Sequence, residues 1–514
     1  MAKGSLVRKN QYYDSVFLMG VNKRLSQVPG VRQTAVLMGT GNNKRLLADI
    51  GITGEAIDAA GPGDLIVAVI ADSEQVVELA INHLDKALLA TTDGKPRSTL
   101  HRLEDALHLQ PAANLAVFTI PGDYVGREAR KALEAGLNVF IFSSNVSPAE
   151  ELELKQLALT KGLLVMGPDC GTSIVGGVGI GFANAVRRGR IGAVGPSGTG
   201  LQEFTTQIHH AGAGISHALG TGSRDLSDSI GGLTTFAALE SLERDPHTDV
   251  VAVIAKPPGR KTLRQLKDRL SSYSKPTVAC FLGMPVAEVA TQEGRSTVRT
   301  IDDAAQSAVE LLNGLAPRPR TALSSEERRR AAEDRQGWSA RQKYVRGVFA
   351  GGTFCYQTQQ LLQDRGLDVR SNAPLKPELG LADPNTSVGN TLVDMGDETY
   401  TQGRPHPMID AALRRQRILV EGQDPEVGVL LLDFILGYNA SQDPVGDLMD
   451  PILEAQRSLR AAGGQLSVVA SICGTEADPQ DLGMQRSLLE NAGVVVFESS
   501  ARAALFCAEL LKPE

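Results

Sequence analysis

The stretch Arg190-Ile191-Gly192-Ala193-Val194-Gly195-Pro196-Ser197-Gly198-Thr199-Gly200-Leu201 decides the fold class. A short apolar run at 191–195 reads as a buried strand. It enters a glycine turn and then a helix near 199–211. Glycines let the backbone approach an anion closely, and the first-turn N–H groups of a helix lack intrahelical partners and carry the positive end of its dipole. The same order recurs at 347–350, where a strand runs into Gly351-Gly352-Thr353 and a helix at 353–365. Outward from these two places, short apolar runs at 34–38, 65–70, 115–120, 138–142, 163–166, 250–255, 277–282, 428–434, 466–472 and 494–497 read as buried parallel strands. Helical stretches lie between them, for example 125–136 and 148–161, the latter opened by Ser147 as N-cap and Pro148 at N1. The pattern predicts an α/β protein of doubly wound parallel sheets, with ligands at the C-terminal ends of the strands.

Composition agrees. The chain has 514 residues, 42% hydrophobic and 22% charged, enough for several cores. Glycine is abundant (53 residues) and aromatics are scarce (4%), which suits many tight βα turns. The net charge of −7 and the lack of a basic, aromatic-interleaved stripe argue against nucleic acid. No apolar run approaches the length of a membrane span, and the polar N-terminus lacks a signal-peptide core. Five dispersed cysteines with no CxxC fit neither a disulfide framework nor a zinc site. These features predict a cytoplasmic protein without membrane or metal.

The boundaries expected are a Rossmann-like domain at 1–188, a second α/β domain at 189–314, a linker at 315–345 and a third α/β domain at 346–514. The linker is rich in Pro, Arg and Glu and contains an exposed helix. The second and third domains read as a diverged duplication: each has strand, glycine turn, helix, a central strand (VVAVIAKPPG at 250–259, VGVLLLDFILG at 427–437) and a strand ending near a cysteine and glycine.

Candidate chemistry sits at the turns. Ser197, Gly198 and Thr199 in one helix start and Gly352 and Thr353 in the other are candidates for phosphate; an ordinary capped turn offers the same residues. Gly39-Thr40-Gly41-Asn42-Asn43-Lys44 only weakly resembles a nucleotide turn. Gly167-Pro168-Asp169-Cys170-Gly171-Thr172-Ser173 is denser, and Asp169 and Thr172 are candidate substrate contacts. Arg224 either grips a carboxylate or phosphate or pairs with Asp225 or Asp228. Lys256 stands at the ligand edge of the sheet, where it either neutralises an anionic substrate or is an ordinary solvated lysine at a strand end. His406, between Pro405 and Pro407 and beside Arg404, is suited to acid–base work or to oxyanion stabilisation, with Asp394, Asp397 and Glu398 upstream; a purely structural histidine is the alternative. His209 and His210 read as surface residues, and Cys170 as an inert thiol.

Residues 114–300, with IPGDYVGREARKALEAGLNVFIFSSNVSPAEELELKQLALTKGLLVMGPDCG at 120–171 and IGAVGPSGTGLQE at 191–203, resemble the succinyl-CoA synthetase α-subunit. Residues 346–514 resemble the C-terminal ligase domain of its β-subunit. The single-chain order of GPDCGTS, GPSGTGLQE, SRDLS, AKPP and GRPHPMID resembles the FdrA family. The resemblance implies a CoA-binding-type N-terminal domain and two flavodoxin-like ligase domains. Synthetases of this superfamily phosphorylate a histidine in a loop that corresponds here to FLGMPVAEVATQEGRSTVRT (281–300), which contains none. The resemblance to FdrA proteins implies a subunit of oxamate carbamoyltransferase in allantoin nitrogen catabolism, working with companion subunits. Phosphate is then a co-substrate that attacks oxalurate directly to give oxamate and carbamoyl phosphate, with no other cofactor. In that reading His406, Lys256 and Arg404 act on the substrate. Two alternatives stay open. One is an acyl-CoA synthetase using CoA and ATP, with its histidine supplied elsewhere. The other is a non-catalytic anion-binding scaffold.

Overall fold

The computed structural model describes residues 2–13, 15–49, 51–89, 100, 102–285, 290–318, 321–401 and 404–512. The chain forms two compact units, residues 1–112 with 398–405, and residues 113–397 with 406–514.

The first unit contains β1 (Ala2–Arg8), α1 (Ser15–Ser26), β2 (Val31–Met38), α2 (Gly41–Asp49), α3 (Glu55–Asp58), β3 (Leu65–Ala71), α4 (Glu74–Asn82), α5 (Leu84–Leu89) and α6 (Leu103–Leu109). β3 lies between β1 and β2 and runs antiparallel to both, with Leu65 opposite Arg8 and Met38. The parallel pairing expected at 34–38 and 65–70 does not occur. The physical reason is burial on both faces. Leu65, Val67 and Val69 pack against Leu18, Val21 and Val77 of α1 and α4, while Ile66, Ala68 and Ile70 pack against Leu47, Ile52 and Ile57. A strand covered on both sides is continuously apolar in either pairing mode, so its pattern cannot report direction.

The second unit opens with β4 (Leu115–Phe118), α7 (Gly122–Glu134), β5 (Asn138–Ile141), α8 (Pro148–Thr160) and β6 (Val165–Met166), a three-stranded parallel sheet. Residues 1–188, expected as one Rossmann-like sheet, thus contribute to separate sheets of opposite pairing. Ser147 caps α8 in a full capping box with Glu150, as its sequence predicts. A hairpin of β7 (Thr172–Val175) and β8 (Val178–Gly181) then joins the edge of an eight-stranded sheet. That sheet continues through β9 (Arg188–Gly195), α9 (Gly198–His210), β10 (Ile215–Gly220), α10 (Leu233–Arg244), β11 (Val250–Ala255), α11 (Arg260–Ser272), β12 (Thr277–Phe281), β13 (Ala290–Gln292), β14 (Arg295–Val298) and α12 (Ile301–Leu312).

After α13 (Ser325–Arg335) comes a six-stranded sheet. Its elements are β15 (Tyr344–Phe349), α14 (Gly352–Gln363), β16 (Val369–Ser371), β17 (Asn390–Asp394), α15 (Glu398–Thr401, within the first unit), α16 (Ala412–Glu421), β18 (Val427–Ile435), α17 (Gly446–Ala461), β19 (Ser467–Cys473), α18 (Leu482–Asn491), β20 (Val495–Phe497) and α19 (Ser500–Leu510). α13 is mostly exposed but docked. Ala331 is buried, Arg335 donates to the Leu510 carbonyl, and Arg502 pairs with Glu327.

The duplication is visible in topology. The order β10-β9-β11-β12-β14 matches β17-β15-β18-β19-β20, all parallel, with α9 and α14 following the central strands. The two halves share one apolar core that includes Leu201, Phe204 and Ile208 of α9 and Phe354, Leu361 and Leu362 of α14. Polar contacts join them too: Asn184 donates to the Leu436 carbonyl at 3.0 Å and to Asp478 at 2.8 Å. α9 and α14 are therefore interior elements, and their N-termini open at the C-terminal ends of the strands.

Candidate functional site

The two glycine turns meet. Ser197 Oγ and Thr353 Oγ1 are 2.6 Å apart, and Ser197 Oγ also accepts the Gly200 N–H at 3.2 Å as the N-cap of α9. The approach depends on Gly195, where a Cβ would lie 2.0 Å from the Ile254 carbonyl oxygen of neighbouring β11. Thr172, buried, donates to the Phe182 carbonyl at 2.7 Å, and its hydroxyl lies 3.4 Å from where a Cβ on Gly198 would be. Thr199 occupies the first turn of α9 and is partly exposed. Ser197, Gly198, Thr199, Gly352, Thr353 and Thr172 are thus one cluster.

The α14 end is built differently. Its N-cap, Gly351, has no side chain, and Asp433, near the C-terminal end of β18, holds the turn that leads into the helix. Asp433 accepts the N–H groups of Ala350 (2.8 Å) and Gly351 (2.7 Å) and is itself held by Arg414 at 2.8 Å. Arg414 also donates to the Val348 carbonyl at 2.9 Å, and burial lowers its pKa. A second carboxylate, Asp394 at the end of β17, stands against Gly352, where a Cβ would lie 2.3 Å from its Oδ2. Burial pushes the Asp394 carboxyl up to about 6; the Lys256 ammonium opposes this and Asp397 adds to it. Lys256 is exposed at the end of β11, 5.1 Å from the ring centroid of Tyr356 on α14.

His406 completes this side. Its ring is 5.6 Å from that of Phe182, and its Nδ1 accepts the Met408 N–H at 3.3 Å. Desolvation, reinforced by Arg414, lowers its pKa to about 4, so the imidazole is neutral at physiological pH. With Nδ1 accepting, the neutral ring carries its proton on Nε2. Residues 281–300, which contain no histidine, begin beside α14, where Gly283 N–H donates to Gln360; residues 286–289 lie outside the described residues.

Other candidates go elsewhere. Arg224 donates to Glu151 (2.9 Å) and to the Val146 carbonyl (2.6 Å), and Glu151 in turn holds buried Lys155 with Asp225. The expected partners Asp225 and Asp228 are not its own. Asp169 is exposed in the turn after β6, with φ of 55° and its N–H on the Ser143 carbonyl. Arg404 belongs to the first unit, and Gly403 lies outside the described residues. Lys44 of the N-terminal glycine turn donates to the Asp58 carbonyl at 2.8 Å. His209 is buried, contrary to its surface reading: Nδ1 accepts from Arg187 N–H and Nε2 lies 2.7 Å from Glu476 of the other half. Cys170 is buried with its thiol pushed up to about 12, the inert state expected.

Sequence reasoning passed over Asp433 and Arg414. The signal was present in VGVLLLDFI, since a carboxylate inside a fully apolar strand needs a buried partner.

Over 511 residues, 98% of each chain, this protein is 40% identical to the uncharacterized protein YahF of Escherichia coli (strain K12). The chain belongs to the YahF family. A family model described as CoA-ligase matches residues 348–509 of this YahF-family chain, and one described as AllF, heavy metal-associated domain, matches residues 1–102. The chain is 26% identical to the α subunit of an ADP-forming succinate–CoA ligase of Aquifex aeolicus over 34% of its own length and 58% of the relative's. It is 25% identical to subunit SauD of an ADP-forming sulfoacetate–CoA ligase of Bilophila wadsworthia over 37% of its length and 65% of that subunit. Among solved structures, an apo dinucleotide-forming acetyl-coenzyme A synthetase from Ca. Korarchaeum cryptofilum covers 77% of this chain and 82% of its own at 17% identity, with a TM-score of 0.28. The CoA-ligase model and the identity to succinate–CoA ligase place the YahF-family chain in the succinyl-CoA-ligase-like superfamily. Among the described residues of the N-terminal region, none are arranged to fit the heavy metal in that description. No cysteine precedes Cys170, and among the described residues no group of three or more His, Cys, Asp or Glu is arranged to hold a metal. No helix among the described residues is long and apolar enough to cross a membrane.

Proposed function

We propose that the chain is the phosphate- and acyl-handling subunit of a complex that phosphorolyses oxalurate to oxamate and carbamoyl phosphate. The observation that carries this reading is the meeting of two helix N-termini through Ser197 and Thr353 where the corresponding loop, 281–300, lacks a histidine to phosphorylate. Phosphate held by the first turn of α9 attacks the ureido carbonyl carbon. The bond from that carbon to the imide nitrogen breaks, and the phosphate's proton passes to the departing nitrogen, leaving oxamate. His406, neutral and protonated on Nε2, suits the task of polarising the carbonyl or serving the leaving amide. Lys256 supplies positive charge for the carboxylate or phosphate. Arg224 is engaged by Glu151 and the Val146 carbonyl and is given no role in this reading. Assaying the purified complex, all companion subunits present, for carbamoyl phosphate from oxalurate and phosphate tests the proposal. No product in either direction from an intact complex refutes it.

The second reading, an acid–thiol ligase, draws support from the CoA-ligase model over 348–509 and the identity to succinate–CoA ligase α subunits. It predicts acid-labile label on the complex after exposure to γ-labelled ATP, and CoA binding.

A further inference from the structure

The helices α11 and α17 hold equivalent places in the duplication: α11 follows β11 and precedes β12, and α17 follows β18 and precedes β19. Neither contributes to the core that the halves share. Leu266 and Leu270 of α11 pack with Phe236, Val251 and Val253, on the side of the sheet opposite to Val250, Ala252 and Ile254 of that core. Both helices keep a face toward solvent, and the two faces differ in sign. On α11, Arg260, Lys261, Arg264 and Lys267 are exposed, against the single acid Asp268. On α17, Asp450 and Glu454 are exposed and Asp447 is partly so, continuing a row that starts at exposed Asp443; spacings of four, three and four residues keep the row on one side. Counted from each helix start, Lys261 and Asp447 are second and Arg264 and Asp450 fifth, so the same two places carry opposite charge.

The cations of α11 do not serve their own helix. Arg260 and Lys261 lie in its first turn, where the dipole disfavours positive charge, and that turn contains no acid. Asp228, from the loop after β10, offsets this by accepting the N–H groups of Lys261 (3.1 Å) and Thr262 (3.0 Å). A groove of about 510 Å³ runs between α10 and α11, lined by Leu233, Phe236, Lys261, Gln265 and Arg269 among others. Arg269 is already engaged, by Glu240 at 2.7 Å and by the Phe236 ring at 4.5 Å. Apolar surface also stands beside the acidic row. Val420 is 59% exposed near the end of α16, and the following Gly422 abuts Ala455, the residue after Glu454. Exposed ion pairs alone contribute little, so apolar surface beside each row matters for a stable contact. We propose that α11 of one copy of this chain docks on α17 of a second copy, with Lys261, Arg264 and Lys267 facing Asp447, Asp450 and Glu454, and Val420 meeting the groove beside α10. A chain of net charge −7 repels its own copies in general; a basic face set against an acidic one overcomes this and fixes the orientation. The inference does not depend on the phosphorolysis reading.

Sedimentation velocity of the purified full chain tests this. The expected result is a dimer or larger species at about 50 mM salt that shifts toward monomer at about 500 mM. K261E/R264E makes the α11 face acidic, and D450K/E454K makes the α17 face basic. Each variant alone sets like charges together and should associate at least about tenfold more weakly than wild type. An equimolar mixture of the two pairs an acidic α11 with a basic α17 and should recover association to within about threefold of wild type. Urea unfolding of each variant, followed by Trp338 fluorescence, establishes that both are folded. A wild-type chain that stays monomeric at about 50 mM salt overturns the inference. Association that either folded variant keeps at wild-type strength when alone overturns it, as does failure of the folded pair to recover when mixed. A monomeric wild type whose binding to a companion subunit is lost in K261E/R264E also overturns it, and gives the α11 face to that subunit.

Discussion

Replacing Glu203 by glutamine removes an ionisable group from the middle of the shared core and should make the second unit more stable at alkaline pH. Glu203 lies on α9, 1% exposed, and accepts from both the backbone N–H and the hydroxyl of Ser500 at the start of α19. Its counterpart in the duplication is already an amide: Gln357 of α14 accepts the Ile301 N–H at the start of α12 at 2.9 Å and donates to Ser500 Oγ at 2.8 Å. Burial first, and the charge of Asp302 second, push Glu203 up from 4.5 to about 8. The sign follows from proton counting. Between those values the folded unit keeps a proton that the unfolded chain releases, so stability falls as pH rises through the window and levels off above about 8. A tenfold change in proton affinity is worth about 1.4 kcal/mol, so the window spans roughly 3–5 kcal/mol, shared in part with Asp302, whose carboxyl is also raised. E203Q has no such proton to lose. Trp338, the sole tryptophan, packs against Gly428 in this unit and donates to Ser467 at 2.9 Å, so its fluorescence reports urea unfolding there. E203Q and wild type should unfold at similar urea concentrations near pH 5, with the variant ahead at pH 8 by roughly 3 kcal/mol. A variant equally weakened at both values would mean that Ser500 needs a carboxylate, and the argument from the proton would fail.

Two further perturbations probe the site itself. D433A leaves Arg414 buried without its partner and uncaps two N–H groups before α14; it should cost roughly 3–5 kcal/mol in the same urea measurement, and a loss under about 1 kcal/mol would show the capping is not needed. S197A removes the α9 cap and the contact to Thr353; it should cost about 1 kcal/mol of stability and raise KM for phosphate, which urea unfolding and steady-state kinetics check together. An unchanged KM for phosphate in folded S197A would remove Ser197 from the phosphate site.

What was legible in the sequence was local. The strand, glycine turn and helix at 191–211 and again at 347–365 follow from apolar runs and glycine placement alone, and Ser147 with Glu150 announces α8 unaided. The absence of a histidine at 281–300 is likewise a fact of sequence, and so is family membership through near full-length identity. Tertiary structure decided direction and partnership. β3, apolar on both faces, reads the same parallel or antiparallel, and only helices packed on each side with β1 and β2 at its edges settle it as antiparallel. Arg224 and His209 carry groups whose partners, Glu151 and Glu476, are remote in the chain. Gly396, Asp394, Ala350 and His406 come together because β15, β17 and the turn before α16 end at one place. A sequence records which donors and acceptors exist; their pairing depends on distances that form only when the two halves close around one core.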